Sequence, residues 1–598
     1  MNFSSISLSA LAVGVSLAFG AGCSGGTDGG PPAGSGGSTA SGGSGSGTGG
    51  TGTPPGSGGS TASGGAGTGG AATATGGSSS GGNNASGGSG SGGDTGGGSG
   101  GSTPIDCNSD GAVLTYPTLP GASESPLYTV TANGMPQFVE KMTKFGQEMQ
   151  VHYANFGVAS GCTATVAVTV EGGFSSYTLS PKSRMLQATQ AGDTLTFDSG
   201  PNYLILQIAS KELLFILIDD QEVNPPKVGD ANVTSLPDSV DNTGATLVTA
   251  AIQSAIDAAA GSAQNILYVP PGRYKTGELW LKSDMTLYLA AGSILDGSTS
   301  TGDYNGTGAP AVENTSHGVV HMNDVSNTQI LGRGVIDGNG SVIRGTDNET
   351  PAFKINTLRI DESTDVLVDG ITVRDSVFWN TLIFDSDQVT IQNFKVINRR
   401  PTTTAYNQTD GVDFDCSTNG KLYNAFIYSG DDSMSPKREQ EGTLDTKGIL
   451  YEKVVAYSNS AATKIGTKTY GQLIEDITFK DLDIVKAGRA LGINADDTAV
   501  IQNITWEDVR VEAVDGRIID FEEDATADWR NAPNMAIVKE VFITDVASDV
   551  NKEIYIHGKS GSINFDGIHF KNFTIAGNKA TSSSGWNLNS YVSNITFE

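Results

Sequence analysis

The feature that most constrains this chain is a set of short apolar runs that recur from Ile266 to the C-terminus. Apolar and polar residues alternate within each run, and an Asp or Asn stands at a turn. Runs beginning at Val366 and Val389 are 23 residues apart, and runs beginning at Ile474 and Ile501 are 27 apart. A period in the twenties without helices between the strands predicts a parallel β-helix, whose coils stack on one another. Leucine-rich repeats share this period, but their leucine and asparagine signature is missing.

Two segments before the solenoid follow other patterns. Residues 246–260 carry apolar side chains at helical spacing and stop at Gly261, which predicts an amphipathic helix that caps the open end of the solenoid. Residues 105–226 contain short β-branched runs separated by turn residues, which predicts a β-sandwich. These runs are residues 163–170, 176–179, 194–197, 203–208 and 213–218. The solenoid then occupies residues 227–598, after the junction Asn224-Pro-Pro.

The N-terminal segment predicts export. Residues 6–19 form an apolar run too short to span a bilayer, and small residues precede Cys23, so residues 1–23 form a secretory signal. Ala-Gly-Cys resembles the lipobox of bacterial lipoproteins, which implies lipidation of Cys23; a plain cleaved signal peptide is the alternative. Residues 24–104 hold 36 of the 81 glycines, which predicts a flexible, disordered linker. We expect a bacterial outer-membrane or cell-surface lipoprotein, or otherwise a secreted protein.

Charge and cysteine content limit the partners. The formal net charge of −29 repels nucleic-acid phosphates and anionic lipids, so we expect no nucleic acid and no membrane contact except a lipid anchor. In an exported protein, Cys107 and Cys162 of the sandwich are the natural disulfide pair, leaving Cys416 as a buried apolar residue. The cysteines and the five histidines show no metal-ligand spacing, so we expect no metal. We also expect the protein to be a monomer.

A group of aspartates carries the predicted chemistry. Asp410 and Asp431 are separated by 21 residues, about one coil, and Asp432 is adjacent. On stacked strands their backbones lie ~4.8 Å apart. Carboxylates so close raise the pKa of at least one member, which separates a general acid from a general base as glycoside hydrolysis requires. Ordinary turn aspartates or a calcium site are the alternatives.

These residues resemble the right-handed β-helix glycoside hydrolases of family 28, the polygalacturonases and their relatives, and of family 49, the dextranases and isopullulanases. The resemblance runs from about Val228 to the end and is sharpest at Thr409-Asp-Gly and Gly430-Asp-Asp. It implies an all-β chain with a right-handed, pectin-lyase-like solenoid. It also implies inverting hydrolysis of a polysaccharide without a cofactor, with Asp431 as general acid and with Asp410 and Asp432 activating water.

The departures from family 28 bear on the substrate. Ala461 stands where the resemblance expects the histidine of Gly-His-Gly, and Gly492-Ile-Asn494 replaces Arg-Ile-Lys, which grips the galacturonate carboxylate. This loss of charged contacts argues against unmodified galacturonan. Family 49 lacks that clamp, has an N-terminal β-sandwich and resembles this chain at Gln408-Thr-Asp-Gly. Hydrolysis of an α-glucan such as dextran or pullulan is therefore the alternative.

Several residues near the aspartates are candidates for substrate binding. Lys437, Lys464 and Arg489 are basic residues that can replace the missing clamp, although each also suits a solvated edge of the solenoid. Tyr406 and Tyr470 are candidates for stacking on sugar rings. Two other functions stay open, a polysaccharide lyase using calcium and a basic residue, and a non-catalytic polysaccharide-binding β-helix.

Overall fold

The computed structural model describes residue 107 and residues 110–142, 151–209, 211–304, 316–344, 353–398, 408–523, 536–559 and 565–598. The predictions for the signal segment, for Cys23, for the linker and for Tyr406 concern residues outside these ranges. Within them, no helix is long and apolar enough to cross a membrane.

The N-terminal part of the described chain is a β-sandwich of two sheets. Its strands are β1 (Val113–Thr115), β2 (Tyr128–Ala132), β3 (Met135–Gln137), β4 (Val139–Met142), β5 (Val151–Val158), β6 (Ala164–Val170), β7 (Thr178–Ser180), β8 (Thr189–Ala191), β9 (Thr194–Ser199), β10 (Asn202–Gln207) and β11 (Leu214–Asp220). One sheet has the order β1-β5-β11-β10-β7 with β4 beside β5, and the other has the order β3-β2-β6-β9-β8. Short 3₁₀ helices cover Asp110–Ala112 and Lys182–Arg184. A disulfide joins Cys107 to Cys162, as expected from the sequence.

The remaining chain winds into a parallel β-helix. Its first half contains β12 (Val233–Ser235), β13 (Thr243–Leu247), helix α1 (Thr249–Ala260), β14 (Ile266–Val269), β15 (Gly272–Thr276), β16 (Leu279–Trp280), β17 (Thr286–Leu289), β18 (Ser293–Gly297), a 3₁₀ helix (Thr301–Asp303), β19 (Gly318–Asn323), β20 (Ser326–Gly332), β21 (Val335–Asp337), helix α2 (Gly340–Arg344), β22 (Asn356–Asp361), β23 (Thr364–Asp369), β24 (Thr372–Arg374), β25 (Thr381–Phe384) and β26 (Asp387–Ile397).

The second half of the solenoid continues the same winding. It contains β27 (Val412–Asp415), β28 (Lys421–Ser429), β29 (Thr446–Ser458), β30 (Ala461–Ile465), β31 (Leu473–Asn494), β32 (Val500–Val511), β33 (Val514–Glu522), β34 (Ile537–Ser548), β35 (Glu553–His557), β36 (Phe565–Lys571), β37 (Thr574–Ile575), β38 (Asn578–Lys579), β39 (Asn587–Leu588) and β40 (Val592–Phe597). Within the described ranges of the solenoid, neighbouring strands pair in parallel, except that β37 and β38 pair antiparallel.

The repeats seen in the sequence are the stacked coils. Val366 pairs with Val389, and Ile474 pairs with Ile501, so each predicted run lies directly over its repeat. Apolar side chains of the runs point inward and form one continuous core along the solenoid. Helix α1 buries Ile252 and Ile256 against the first coils. The prediction of an all-β chain with a sandwich, a right-handed parallel β-helix and a capping helix is confirmed.

Asp and Asn residues at the turns have a conformational reason. Asn424, Asp481 and Asp508 have φ values of 50°, 52° and 54°, and each follows a position of one strand stack, in which Tyr423, Glu452, Lys480 and Glu507 pair in turn. This left-handed region suits Asn and Asp better than other non-glycine residues, because their short polar side chains form local hydrogen bonds. Asp or Asn therefore takes this bend on three of these four coils, and Lys453, with φ 57°, takes it on the coil between Asn424 and Asp481.

The sandwich packs on the outside of the solenoid. Phe215 of β11 lies against Phe426 and Tyr428 of β28, at centroid separations of 4.9 and 5.0 Å. The Lys395 ammonium is fully buried and lies 2.8 Å from a carboxylate oxygen of Asp219. These contacts join the two parts through an apolar core and a buried ion pair.

Candidate active site

One sheet of the solenoid presents charged side chains on its outer face. This sheet begins with the order β16-β19-β22-β25-β27, and β30, part of β31, β33 and β35 continue it. In β27, Val412 and Phe414 are in the solenoid core, whereas Asp413 and Asp415 alternate with them and lie on the other face. The period of two in this strand therefore aligns several acidic residues on one side of the sheet.

The three predicted catalytic aspartates lie together on adjoining coils. The Asp431 amide donates to the Thr409 carbonyl at 3.4 Å, and the Gly411 amide donates to the Asp432 carbonyl at 2.8 Å. These bonds place Asp410 beside Asp431 and Asp432, one inter-strand spacing of ~4.8 Å away. Asp410 and Asp432 are buried, and Asp431 is half-buried.

Asp431 and Asp432 are consecutive residues whose carboxylates have different partners. The Gln408 amide of the preceding coil donates to Asp431 Oδ2 at 3.0 Å. The Ala461 amide of the following coil donates to Asp432 Oδ1 at 3.0 Å, and the Lys464 ammonium forms an ion pair with Asp432 Oδ2. Asp431 thus accepts from a neutral donor, whereas Asp432 accepts from a neutral donor and also pairs with a cation.

A buried lysine links the rest of the acidic group. Lys437 Nζ lies 2.8 Å from Asp410 Oδ2 and 2.6 Å from Asp413 Oδ2, and it stands 3.9 Å from the centroid of the Trp379 ring. Lys437 is only 2% exposed. Its ammonium therefore neutralises two carboxylates inside the site, which is a different position from the substrate contact predicted for it.

The surroundings of the three aspartates give these residues different pKa values. Burial, together with Asp432 and Asp410, raises the pKa of Asp431 to about 7. Burial also raises the pKa of Asp410 to about 7, against the opposing effect of Lys437. Burial disfavours ionisation of Asp432 as well, but Lys464 and Arg489 outweigh it and lower its pKa to about 2. The group thus combines a carboxylate that stays ionised with neighbours that hold a proton near neutral pH.

The other predicted contacts lie at different distances from the aspartates. Lys464 touches Asp432, and an Arg489 guanidinium nitrogen stands 3.9 Å from Asp432 Oδ1. Tyr470 is half-buried, and its amide donates to the Arg438 carbonyl at 2.8 Å. The structure therefore brings Lys464 and Arg489 into the site and places Tyr470 further along the coil that carries Lys464.

Several charged residues of the site were not predicted. Asp413 shares Lys437 with Asp410, and Asp520, Glu522 and Arg517 of β33 continue the charged face beyond Arg489. For Asp413, alternation within Val-Asp-Phe-Asp was a usable signal. In the described ranges, no group of three or more His, Cys, Asp or Glu side chains is arranged to hold a metal ion.

The fold and the three adjoining carboxylates are those of a β-helix enzyme that hydrolyses glycosidic bonds. The family model for glycosyl hydrolases family 28 matches residues 261–594, more than half of the chain. The chain belongs to glycosyl hydrolase family 28 and is a polygalacturonase-like glycoside hydrolase.

Relatives of known name are distant in sequence. An exo-poly-alpha-D-galacturonosidase of Dickeya chrysanthemi is 26% identical over 447 residues, which cover 62% of this chain and 71% of the relative. A probable polygalacturonase of Vitis vinifera is 26% identical over 274 residues, which cover 42% of this chain and 54% of the relative. The chain thus spans only about half the length of the second protein.

Solved structures share the fold. Dex49A from Penicillium minioluteum superposes with a TM-score of 0.55 at 14% identity, covering 81% of this chain and 96% of that structure. A hyperthermoactive exopolygalacturonase from Thermotoga maritima superposes with a TM-score of 0.50 at 18% identity, covering 63% of this chain and 94% of that structure. At these identities the likeness concerns the fold alone.

Proposed function

We propose that this chain hydrolyses a polysaccharide with inversion, with Asp431 as general acid and with Asp432 and Asp410 as the groups that activate water. The observation that carries the proposal is the contrast between two consecutive carboxylates. The pKa of Asp431 is raised to about 7 and that of Asp432 is lowered to about 2. Over the intervening pH range the first group keeps its proton and the second accepts one, which is the division that glycoside hydrolysis needs.

The proposed step moves one proton at each side of the scissile bond. Asp431 gives its proton to the glycosidic oxygen while the bond from that oxygen to the anomeric carbon breaks. Water attacks the anomeric carbon from the opposite face and loses a proton to Asp432. Asp431 then regains a proton, and Asp432 loses one, by exchange with solvent. The half-buried position of Asp431 supports this exchange.

Lys437 supports the water-activating side. It pairs with both Asp410 and Asp413 inside the buried group, so two carboxylates share one cation. We infer that this pairing keeps Asp410 in place beside Asp432. Lys437 is then a positioning residue, because its ammonium faces carboxylates rather than the outer surface.

The substrate belongs to this proposal as well. The named relatives are an exo-poly-alpha-D-galacturonosidase and a probable polygalacturonase, which favours a pectic polysaccharide. An α-glucan is the second candidate, because Gly492 and Asn494 leave uncharged positions on the coil that follows Lys464. We further propose export with lipidation of Cys23 and action as a monomer, with the sandwich at residues 105–226 and the catalytic solenoid at 227–598.

The test compares wild type, Asp431→Asn and a matched control, Asp545→Asn, on pectate, rhamnogalacturonan, dextran, pullulan and galactan. Asp545 is exposed at a bend within β34 with φ 54°, which Asn tolerates. We expect Asp431→Asn to lower kcat by ~10²–10⁴-fold and the control to keep wild-type turnover. Equal thermal unfolding of the two variants excludes misfolding as the cause. Unchanged turnover in Asp431→Asn contradicts the assigned acid, and unsaturated uronate ends on the products indicate a lyase instead.

A further inference from the structure

The outer face of the sheet continues beyond the aspartates over β30, β31 and β33. Lys464 of β30 pairs in register with Gly492 of β31, which pairs with Asp520 of β33. Successive strands are ~4.8 Å apart. Arg489 joins this surface to the catalytic group, because its guanidinium lies 3.9 Å from Asp432 and 3.2 Å from Asp520. A sugar attached to the one being cleaved is therefore in reach of these residues.

Each cation of this surface is already paired with carboxylates. Lys464 pairs with Asp432, and Arg489 pairs with Asp520. Arg517 pairs with Asp520, with Glu522 at 3.4 Å and with Glu553 at 3.0 Å. The cluster thus contains three cations and four carboxylates. The formal charge of the cluster therefore has no positive excess.

The remaining positions of the surface are uncharged. The side-chain amide of Asn494 donates from Nδ2 to Glu522 Oε1 at 3.2 Å, and Asn494 is only 5% exposed. A side chain at Gly492 would begin 3.2 Å from Lys464 Cγ and 3.1 Å from the Thr463 carbonyl oxygen. The stem of Lys464 therefore occupies the space that a longer residue at position 492 would need.

We propose that this surface binds an uncharged sugar unit, with the half-buried Glu522 as the specificity-determining acceptor for its hydroxyl groups and with the buried Asp520 holding Arg489 and Arg517 in place. The proposal rests on the proposed hydrolase function and names the class of sugar beside the cleaved bond. Sugar hydroxyls donate well to carboxylates, and such charge-assisted hydrogen bonds are strong. A uronate would instead bring a carboxylate against carboxylates, and like charges in a partly buried site exclude a ligand.

The test compares pectate with two derivatives that lack its free carboxylates, and with other polymers. Pectate, its methyl ester and its carboxyl-reduced form are assayed beside rhamnogalacturonan, galactan, dextran and pullulan, and mass spectrometry identifies the sugars at the new chain ends. We expect every polymer that is cut to place an uncharged sugar on at least one side of the cleaved bond. We also expect pectate to show a kcat/KM at least ~10-fold below that of the best uncharged or partly uncharged substrate.

The possible results separate the two proposals. Cleavage of pectate between two free uronates, faster than cleavage of every other polymer of the panel, overturns the uncharged position but leaves the hydrolase function intact. No hydrolysis of any polymer overturns the proposed function, and this inference falls with it.

A substitution of Glu522 tests whether this residue causes the preference for an uncharged sugar. Glu522→Gln removes a negative charge from the surface, so we expect the kcat/KM on pectate to rise relative to that on the uncharged substrate by ~3–10-fold. The matched control is Glu507→Gln, which breaks an exposed pair with Lys480 on another sheet and keeps the wild-type ratio. An unchanged ratio in Glu522→Gln overturns the assignment of this residue.

Discussion

At the scale of single residues, Lys464 decides how the protons of the site are divided. Its ammonium touches Asp432 and lowers the pKa of both Asp432 and Asp431. Arg489 acts on Asp432 from the next coil and Lys437 from the buried side. Since burial alone would raise the pKa of Asp432, the cations are what keep this carboxylate ionised.

Replacement of Lys464 by Met keeps most of the apolar stem and removes the charge. The pKa of Asp432 then rises, so the acidic limb of the pH profile of kcat/KM moves to higher pH. The pKa of Asp431 rises as well, so the alkaline limb moves in the same direction. We expect each limb to shift by ~1–2 pH units, whereas Lys464→Arg retains the wild-type limbs. A profile that loses height without moving contradicts this role for Lys464.

At the scale of elements, β27 shows how one strand holds both core and site. Val412 and Phe414 fill the solenoid, while Asp413 and Asp415 are buried on the opposite face. Burial and Glu439 raise the pKa of Asp415 to about 7, and Asp415 Oδ2 has no hydrogen-bond donor within the described ranges. The strand therefore carries an ionisable group that the fold accepts best in its neutral form.

Asp415→Asn tests the contribution of this burial to stability. A folded pKa of about 7, against 3.8 for an ordinary Asp, means that the contribution of Asp415 to stability is fully present below about pH 4. The wild type loses stability as the pH rises towards 7, by ~4 kcal/mol for a shift of this size. We expect urea unfolding at pH 4 and pH 8 to show a clearly smaller loss in Asp415→Asn. An equal loss in both proteins contradicts the buried, neutral state of Asp415.

Sequence periodicity predicted the elements that bury one face. The 23- and 27-residue spacings correspond to the pairs Val366 with Val389 and Ile474 with Ile501. Strands β5, β10 and β11 each bury one face in the sandwich and the other against the solenoid. The continuous apolar runs of β10 and β11 were recognisable in the sequence, whereas His152, Asn155 and Gly157 interrupt β5, which therefore escaped prediction.

The start of one helix and the neighbours of several side chains depend on contacts between residues that are far apart in the sequence. The capping helix begins at Thr249 rather than at residue 246, because Thr243–Leu247 pairs as a strand with β15. Asp410, Asp431 and Asp432 were found from their one-coil spacing. Asp520 and Glu522 were missed, since their place beside Arg489 follows only from the stacking of β31 on β33.

At the scale of the whole molecule, the sandwich and the solenoid share buried charges. Lys395 of β26 pairs with Asp219 of β11 with almost no exposure of either side chain. Arg374 of β24 is buried between Asp337 of the solenoid and Glu140 of the sandwich. Removing one member of such a pair leaves the other charge buried without compensation, which costs far more than the pair itself contributes.

Lys395→Met tests whether these charges couple the two parts. We expect guanidinium unfolding to show a loss of ~3 kcal/mol, because Asp219 stays buried and is left with the more distant cation of Arg333, whose Nε lies 3.7 Å away. The double variant Lys395→Met with Asp219→Leu recovers part of this loss. Lys421→Met, which breaks a half-exposed pair with Glu452, changes stability by less than ~1 kcal/mol. A loss in Lys395→Met no larger than in Lys421→Met shows that the pair does not couple them.

The central claim is that a proton-donating Asp431 and an ionised Asp432 hydrolyse the bond in a single displacement by water. The most direct measurement is proton NMR of the newly formed reducing end during cleavage of the polymer that wild type hydrolyses fastest. Direct attack by water inverts the anomeric carbon, so we expect the first anomer to appear to have the configuration opposite to that of the cleaved bond, before mutarotation mixes the two. First appearance of the anomer with the original configuration requires a covalent intermediate and contradicts hydrolysis in a single displacement.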